Sequence, residues 1–127
     1  MRAMADPEDR SALARRVFPR GREPDPRFTL ANERTFLAWV RTSLAFLAGA
    51  IALEAFNIPS ISDELQTLAA IGVCVVALLI ASGAAIRWVN VERAMREDKP
   101  LPVPGIVPVL VVACLIGGVI VLVGVAR

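Results

Sequence analysis

Three long apolar runs divide the chain, and polar or charged residues gather between them. The runs cover residues 37–56, 68–86 and 106–126. At about 1.5 Å per helical residue, each run is long enough to cross the ~30 Å hydrocarbon layer of a bilayer. A strand is excluded even for the Val-rich third run, because an open strand in lipid would leave its backbone groups unpaired. The pattern predicts an all-α integral membrane protein with three transmembrane helices.

Local signals set the boundaries of the first two helices. Asp25 and Pro26 predict the start of the first, because Asp caps free backbone N–H groups and Pro fits the first helical position. The segment 57–60, Asn-Ile-Pro-Ser, predicts its end. Ser62 is then placed to cap the second helix. This helix is expected to continue past Asn90, before a Pro-rich segment leads to the third.

The residues before the first helix form a polar arm. Residues 1–24 carry six arginines and four acidic side chains, and they contain no apolar run of the kind that a signal peptide needs. Such a segment buries too little to fold by itself, so we expect a mostly disordered arm. A short helix over 11–18 at the membrane surface is the alternative. The predicted organisation is an arm over 1–24 and a three-helix transmembrane domain over 25–127.

Basic residues are distributed unevenly around the spans. Of the 14 Lys and Arg side chains, 13 lie between Arg2 and Arg41 or in the segment 87–99, and the loop 57–66 has none. The positive-inside rule therefore predicts a cytoplasmic N-terminus and second loop, and a C-terminus outside.

The composition excludes several classes of function. The chain has no His and no Tyr, which removes histidine-ligated metals and the Ser-His-Asp triad. Two cysteines without His do not make a metal site, and no cofactor is expected. No cluster of nucleophile, base and acid is present, so we do not expect an enzyme. The net charge of +2 is too small to indicate nucleic-acid binding.

Three arginines of the first helix share one face. Arg27, Arg34 and Arg41 are spaced by seven residues, and each such step rotates a helical side chain by only about 20°. Three alanines run beside this stripe: Ala38, Ala45 and Ala52. Small residues let membrane helices approach closely, so this face is predicted to pack against other helices.

Two interpretations of the arginines stay open. In one, they surround a water-filled axis and bind anions there, and Arg87 at the end of the second span completes a basic collar. In the other, Arg41 extends to the headgroups, while Arg34 and Arg27 already lie in water.

Residues 32–39, Asn-Glu-Arg-Thr-Phe-Leu-Ala-Trp, resemble the signature of the YidH-like small membrane proteins, a family of three-helix bacterial proteins. The same domain is similar to the membrane domain of the vacuolar transporter chaperone complex, which makes polyphosphate and passes it across a membrane. The likeness covers residues 25–127 in order and topology. By this resemblance Asn32, Glu33 and Trp39 are motif residues, Arg27 and Arg34 match basic positions, and Arg87 corresponds loosely to a third.

The resemblance implies an inner-membrane protein that assembles as a homo-oligomer, a five-fold ring in the complex, with basic residues around the anion path. Polymerase and phosphate-sensing domains do not accompany it here. We therefore expect a basic, cytoplasm-facing vestibule or pore for anions, polyphosphate among them, with membrane lipid as the surroundings. The alternative is a non-conducting scaffold or anchor that recruits a partner through the arginine-rich arm.

Overall fold

The computed structural model describes residues 11–103 and 105–126, and these fold into four helices with no strand among them. The helices are α1 (Ala12–Val17), α2 (Pro26–Ala55), α3 (Asp63–Arg96) and α4 (Ile106–Val125). The last three are long and apolar enough to cross a membrane. The predicted all-α architecture with three spans is confirmed.

The starts of α2 and α3 follow from their capping residues. The Asp25 carboxylate accepts a hydrogen bond from the Arg27 N–H at 2.9 Å, and Pro26 occupies the first turn of α2. The Ser62 hydroxyl accepts from the Leu65 N–H at 3.4 Å. Each cap satisfies a backbone donor that the helix itself leaves unpaired. Both predicted starts are confirmed.

Helices α2 and α3 form an antiparallel pair, and hydrogen bonds from polar side chains inside the interface hold the two helices together. The Asn32 side-chain amide donates to the Trp88 carbonyl at 3.2 Å, and the buried Ser43 hydroxyl donates to the Ala77 carbonyl at 2.7 Å. The two contacts are eleven residues apart on both helices, which is three helical turns. The pair therefore stays in one register across the whole span.

Gln66 fastens the opposite end of the pair, beside the loop that joins the two helices. Its buried side-chain amide donates to the carbonyls of Leu53 and Phe56, and its amide oxygen accepts from the Ile58 N–H at 3.4 Å. The last carbonyls of a helix have no partner within it, so Gln66 supplies the C-terminal cap that α2 lacks in its own sequence.

Both helices continue well past their apolar runs at one end. We call this extension, residues 26–36 of α2 and 87–96 of α3, the stalk. Ten helical residues add about 15 Å of length. Within the stalk the interface becomes polar and partly charged.

Beyond the stalk, α3 ends in a backbone turn of left-handed geometry. Asp98 has a φ of 51°, and the Lys99 N–H donates to the Ala94 carbonyl at 2.9 Å. The Lys99 ammonium pairs with Glu97, and this hydrogen bond holds the pKa of the Glu97 carboxyl below its ordinary value.

Helix α4 is attached to the pair through α3. Its first residue, Ile106, lies against Gly83: a Cβ added at Gly83 would be 2.5 Å from the Ile106 side chain. Farther along, the large side chains of α4 are exposed, including Leu115, Ile120 and Leu122. Over its span α4 has no buried residue whose side chain is described.

The arm is described from Ser11 onward, and the mostly disordered segment expected over 1–24 stays a prediction. Residues 1–10 lie outside the described part of the chain. In the described part, Ser11 caps the short helix α1, and Phe18 is only 6% exposed. Phe18 brings a large apolar side chain to the polar segment, and this side chain packs against Trp88 in the stalk. The described backbone contains a short helix over Ala12–Val17, as in the alternative, and Phe18 beyond its end makes the contact with the stalk.

Candidate functional site

The arginine stripe lies on the face of α2 that points away from α3. Arg27, Arg34 and Arg41 are exposed, whereas the buried residues of α2 are Asn32, Ser43 and Ala50 on the other side. None of the three guanidinium groups has an ion pair or hydrogen bond to a described side chain. Three cations in line, none of them in an ion pair with a described acidic side chain, make a surface suited to an anion.

The alanines lie along the same side. Ala38 and Ala45 are exposed and Ala52 is half-buried, while α3 packs on the opposite face. The predicted small-residue packing face therefore does not pack against α3, and the described residues leave it uncovered. This face is available to a helix of another molecule.

Arg41 lies inside the apolar region rather than at its edge. The pairing of Asn32 with Trp88 and of Ser43 with Ala77 places Arg41 at the height of Leu79 on α3. Leu79 is seven residues from the end of the apolar run at Ile86, or about 10 Å. A cation at this depth is costly in lipid, so it reaches the interface, a partner or water.

Arg87 belongs to a different part of the surface. It is half-buried on α3 and lines a cavity of about 350 Å³ with residues of α3, α4 and the loop before α4, such as Ile106 and Pro102. No residue of α2 lines this cavity. Within one protomer the structure brings Arg27, Arg34 and Arg41 onto one face, and it does not add Arg87 to them.

The motif residues have separate roles. Asn32 is buried and joins α2 to α3 through the Trp88 carbonyl. Trp39 is half-buried, and Glu33 is exposed with no ion pair to the described residues. The most clearly structural member of the motif is therefore Asn32, because its amide fixes the register of the stalk.

A buried ion pair in the stalk was not predicted. Arg96 donates from Nη2 to Glu92 Oε1 at 3.1 Å, and the two side chains are only 8% and 2% exposed. Thr29 of α2 donates to the same oxygen at 3.4 Å, and Glu23 of the arm lies 3.8 Å from Arg96. Glu92 Oε2 and Arg96 Nη1 are buried with no hydrogen-bond partner among the described residues. The pair connects α2, α3 and the arm at one point.

Aromatic contacts complete this junction. The ring centroid of Phe18 is 6.0 Å from that of Trp88 in an edge-to-face arrangement, and Phe36 approaches Trp88 at 6.3 Å. The Arg96 guanidinium lies 4.7 Å above the Phe18 ring. The Trp88 ring packs between Phe18 and Phe36. We call the group Phe18, Trp88, Glu92 and Arg96 the arm junction.

One sequence signal could have found the arm junction. Glu92 and Arg96 are four residues apart, so they share a helix face. Trp88 is one turn earlier on that face, and on α2 the polar residues Thr29 and Asn32 are a turn apart. Thr29 of α2 donates to Glu92 and the Phe18 ring covers Arg96, so this pair is buried rather than solvated.

Comparisons with known proteins support the membrane assignment. Residues 27–94 match the family described as "Domain of unknown function (DUF202)". An uncharacterized protein of Mycobacterium tuberculosis (strain H37Rv) is 48% identical over 84 residues, 63% of this chain and 66% of that relative. This chain therefore spans slightly less than two thirds of that relative's length.

Inner membrane protein YidH of Escherichia coli (strain K12) is 42% identical over 82 residues, which is 65% of this chain and 71% of YidH. YidH of Shigella flexneri matches with the same figures. No solved structure gives a significant match. The family match covers α2 and nearly all of α3, and it stops before α4. On the matched motif, the paired helices and these relatives, the chain belongs to the YidH-like DUF202 family of membrane proteins.

Proposed function

We propose that this multi-pass inner-membrane protein assembles as a homo-oligomer whose α2 helices surround a basic, cytoplasm-facing vestibule that binds or conducts anions, polyphosphate among them. The observation that carries the proposal is the exposed face of α2, on which three unpaired arginines run beside small residues. It is a binding or conduction function without catalysis.

The depth of Arg41 supports assembly. A single protomer leaves this cation exposed at the height of Leu79, where its surroundings would be acyl chains. An oligomer that turns the α2 faces inward would instead place the cations around a wet axis. The alanines favour the same arrangement, because small side chains allow close helix contact in lipid.

The orientation follows from the basic residues. Arg27 and Arg34 lie in the stalk, and the arm continues from the same end. We propose that the stalk and the arm are cytoplasmic and that α4 ends outside, as the positive-inside rule requires. A reporter fused to Arg127 should then behave as external, and cytoplasmic behaviour would contradict this topology.

Assembly is tested by native mass spectrometry in a mild detergent. The wild type should be oligomeric, and Ala45→Leu should shift it toward monomer, because the added side chain separates the α2 faces. Ala69→Leu is the matched control, since Ala69 is exposed on α3 and away from the stripe. A monomeric wild type would contradict the proposed vestibule.

Anion binding is tested by titrating the purified protein with polyphosphate of defined length. Arg34→Ala should weaken binding, and Arg34→Lys should retain part of it, because Lys keeps the charge but loses the planar fork. Arg93→Ala removes an equal charge from an exposed position on α3 and should have little effect. Unchanged affinity in the Arg34→Ala/Arg41→Ala double variant would overturn the proposal.

A scaffold function is the second candidate, and one observation favours it. The docked arm presents four exposed cations, Arg15, Arg16, Arg20 and Arg22. If the arm recruits a partner, Arg15→Ala/Arg16→Ala should abolish that binding and leave the oligomer intact. If the vestibule binds the anion, the same double variant should bind short polyphosphate as the wild type does.

A further inference from the structure

The cavity between α3 and α4 has two chemically different ends. Its apolar part is lined by Leu79, Ile80, Gly83, Ile86, Ile106 and Val109. Its polar end is formed by Arg87 and Asn90 of α3, together with the loop residues that lead into α4. The cavity measures about 350 Å³, within the range of sites that hold small ligands.

The polar end carries an unsatisfied donor. Arg87 Nε is buried and has no hydrogen-bond partner among the described residues. A buried donor of a charged group is expensive to leave unpaired, so an acceptor belongs next to it. The described lining contains one cation and no acidic side chain, so the polar end of the cavity is suited to an anion.

The height of the cavity fits a lipid. Arg87 directly follows the apolar run that ends at Ile86, which places its guanidinium at the level of the phosphate groups. From Arg87 to Leu79 the cavity follows eight residues of α3, or about 12 Å into the hydrocarbon layer. A ligand with a phosphate at one end and an alkyl chain at the other matches both parts.

The loose packing of α4 leaves room for a lipid acyl chain to enter the cavity. Helix α4 touches α3 where Ile106 meets Gly83, and Val109, one turn farther along, is already half exposed. In a bilayer the space between two loosely packed helices does not stay empty, because the lining would lose its dispersion contacts. An acyl chain is the apolar molecule at hand.

We propose that the cavity between α3 and α4 is a binding site for one anionic phospholipid, with the phosphodiester on Arg87 and Asn90 and one acyl chain along Leu79, Gly83 and Val109. The bound lipid places an anion beside the Arg87 guanidinium and fills the contact that α4 does not make. This site is separate from the arginine stripe on α2 and does not depend on the proposed vestibule.

The test is native mass spectrometry of the purified full chain, titrated with phosphatidylglycerol or phosphatidylcholine. We expect one phosphatidylglycerol per protomer, bound more tightly than phosphatidylcholine. Arg87→Gln should weaken phosphatidylglycerol about tenfold, the effect of one lost charge-assisted hydrogen bond, and Arg87→Lys should recover part of the affinity. Circular dichroism identifies any variant that has lost its helices.

Two controls separate charge from shape. Arg93→Gln removes an exposed cation of the same helix and should leave lipid affinity unchanged. Val109→Phe keeps Arg87 and fills the apolar part, so it should weaken both lipids.

Three results would overturn the site. One is equal affinity for the two lipids together with no effect of Arg87→Gln. Another is displacement of the lipid by millimolar inorganic phosphate, which would identify the ligand as free phosphate. The last is an oligomer that retains no lipid at all, because α4 of a second copy then fills the cavity. Arg34→Ala should leave lipid binding intact, so failure of the vestibule and failure of this site give different results.

Discussion

The protein has two helix interfaces within the membrane, and they are built by different means. Between α2 and α3, side-chain hydrogen bonds recur along the pair: Ser43 donates to the Ala77 carbonyl in the span, Asn32 donates to the Trp88 carbonyl in the stalk, and Gln66 caps α2 at the other end. Between α3 and α4, the described contact is apolar and concentrated near Gly83 and Ile106. In lipid, apolar surface alone gives helices little reason to associate, because acyl chains are just as apolar.

Because of this difference, the α2–α3 pair is a rigid unit, whereas the position of α4 is adjustable. The α2–α3 pair holds a single register, and it is also the part that matches the family. Helix α4 is apolar on all sides and can follow lipid or a neighbouring copy. Substitutions at the polar contacts between α2 and α3 should therefore lower the free energy of unfolding more than substitutions on α4.

The largest effect is expected from breaking the buried ion pair. Arg96→Met leaves Glu92 charged and buried, with Thr29 as its remaining donor, and should lower the free energy of unfolding by about 3–5 kcal/mol. Denaturant unfolding in detergent, followed by circular dichroism, measures it. Glu92→Gln in the Arg96→Met background should recover part of the loss. Arg93→Met, at an exposed position, should change the free energy of unfolding little. A loss equal to that of Arg96→Met would mean that the buried ion pair does not stabilise the stalk.

A smaller and local effect is expected where the arm meets α3. Gly21 has a φ of 93°, and a Cβ there would lie 2.3 Å from the Arg96 carbonyl oxygen. Gly21→Ala should therefore release the arm at a cost of about 1–3 kcal/mol. Trypsin should then cleave after Arg15 and Arg16 faster than in the wild type. Gly72→Ala is the control, since nothing lies within 4 Å of its added Cβ. Identical cleavage of Gly21→Ala and the wild type would show that the arm does not depend on this close approach.

The loss of one hydrogen bond within the membrane should lower the free energy of unfolding by a smaller amount than the substitutions above. Ser43→Ala removes the bond to the Ala77 carbonyl and should lower the free energy of unfolding by about 0.6–1.7 kcal/mol. Thr42→Ala is matched to it, because the Thr42 hydroxyl bonds only to Ala38 of its own helix. Equal effects of the two substitutions would argue that the interhelical bond adds nothing beyond the helix.

The smallest effect is expected on α4. Val119 is 58% exposed, so Val119→Ala should change the free energy of unfolding by less than about 0.5 kcal/mol. The same unfolding experiment measures it. A loss as large as that of Ser43→Ala would mean that α4 is packed against another molecule, and the contrast between the two interfaces would then apply to the isolated protomer alone.

Sequence reasoning was most successful where one periodic signal decides the outcome. The three apolar runs gave the spans, and Asp25 and Ser62 gave two helix starts, because capping is a local property. The position of Arg27, Arg34 and Arg41 on one face also followed from their spacing. Whether that face binds an anion stays a prediction.

What the sequence did not reveal depends on pairing between distant segments. Glu92 and Arg96 are ordinary surface residues until Thr29 and Phe18 cover them. The polar composition of the arm gave no signal for its contacts with the stalk, which are made by Phe18, by the Arg22 N–H bonded to the Arg96 carbonyl, and by Glu23 beside Arg96. Arg87 was grouped with the α2 arginines by its height along the helix, but its direction around α3 depends on where α4 packs.

The length of the stalk has a consequence for the charges of the arm. Arg96, where the arm docks, is ten residues past Ile86, or about 15 Å for a helix near the membrane normal. Electrostatic screening acts over about 8 Å at physiological ionic strength. Arg20 and Arg22 of the docked arm adjoin the end of α3 and are therefore nearly two screening lengths from the lipid phosphates. The stalk acts as a spacer that holds Arg20 and Arg22 away from the electrostatic attraction of the bilayer.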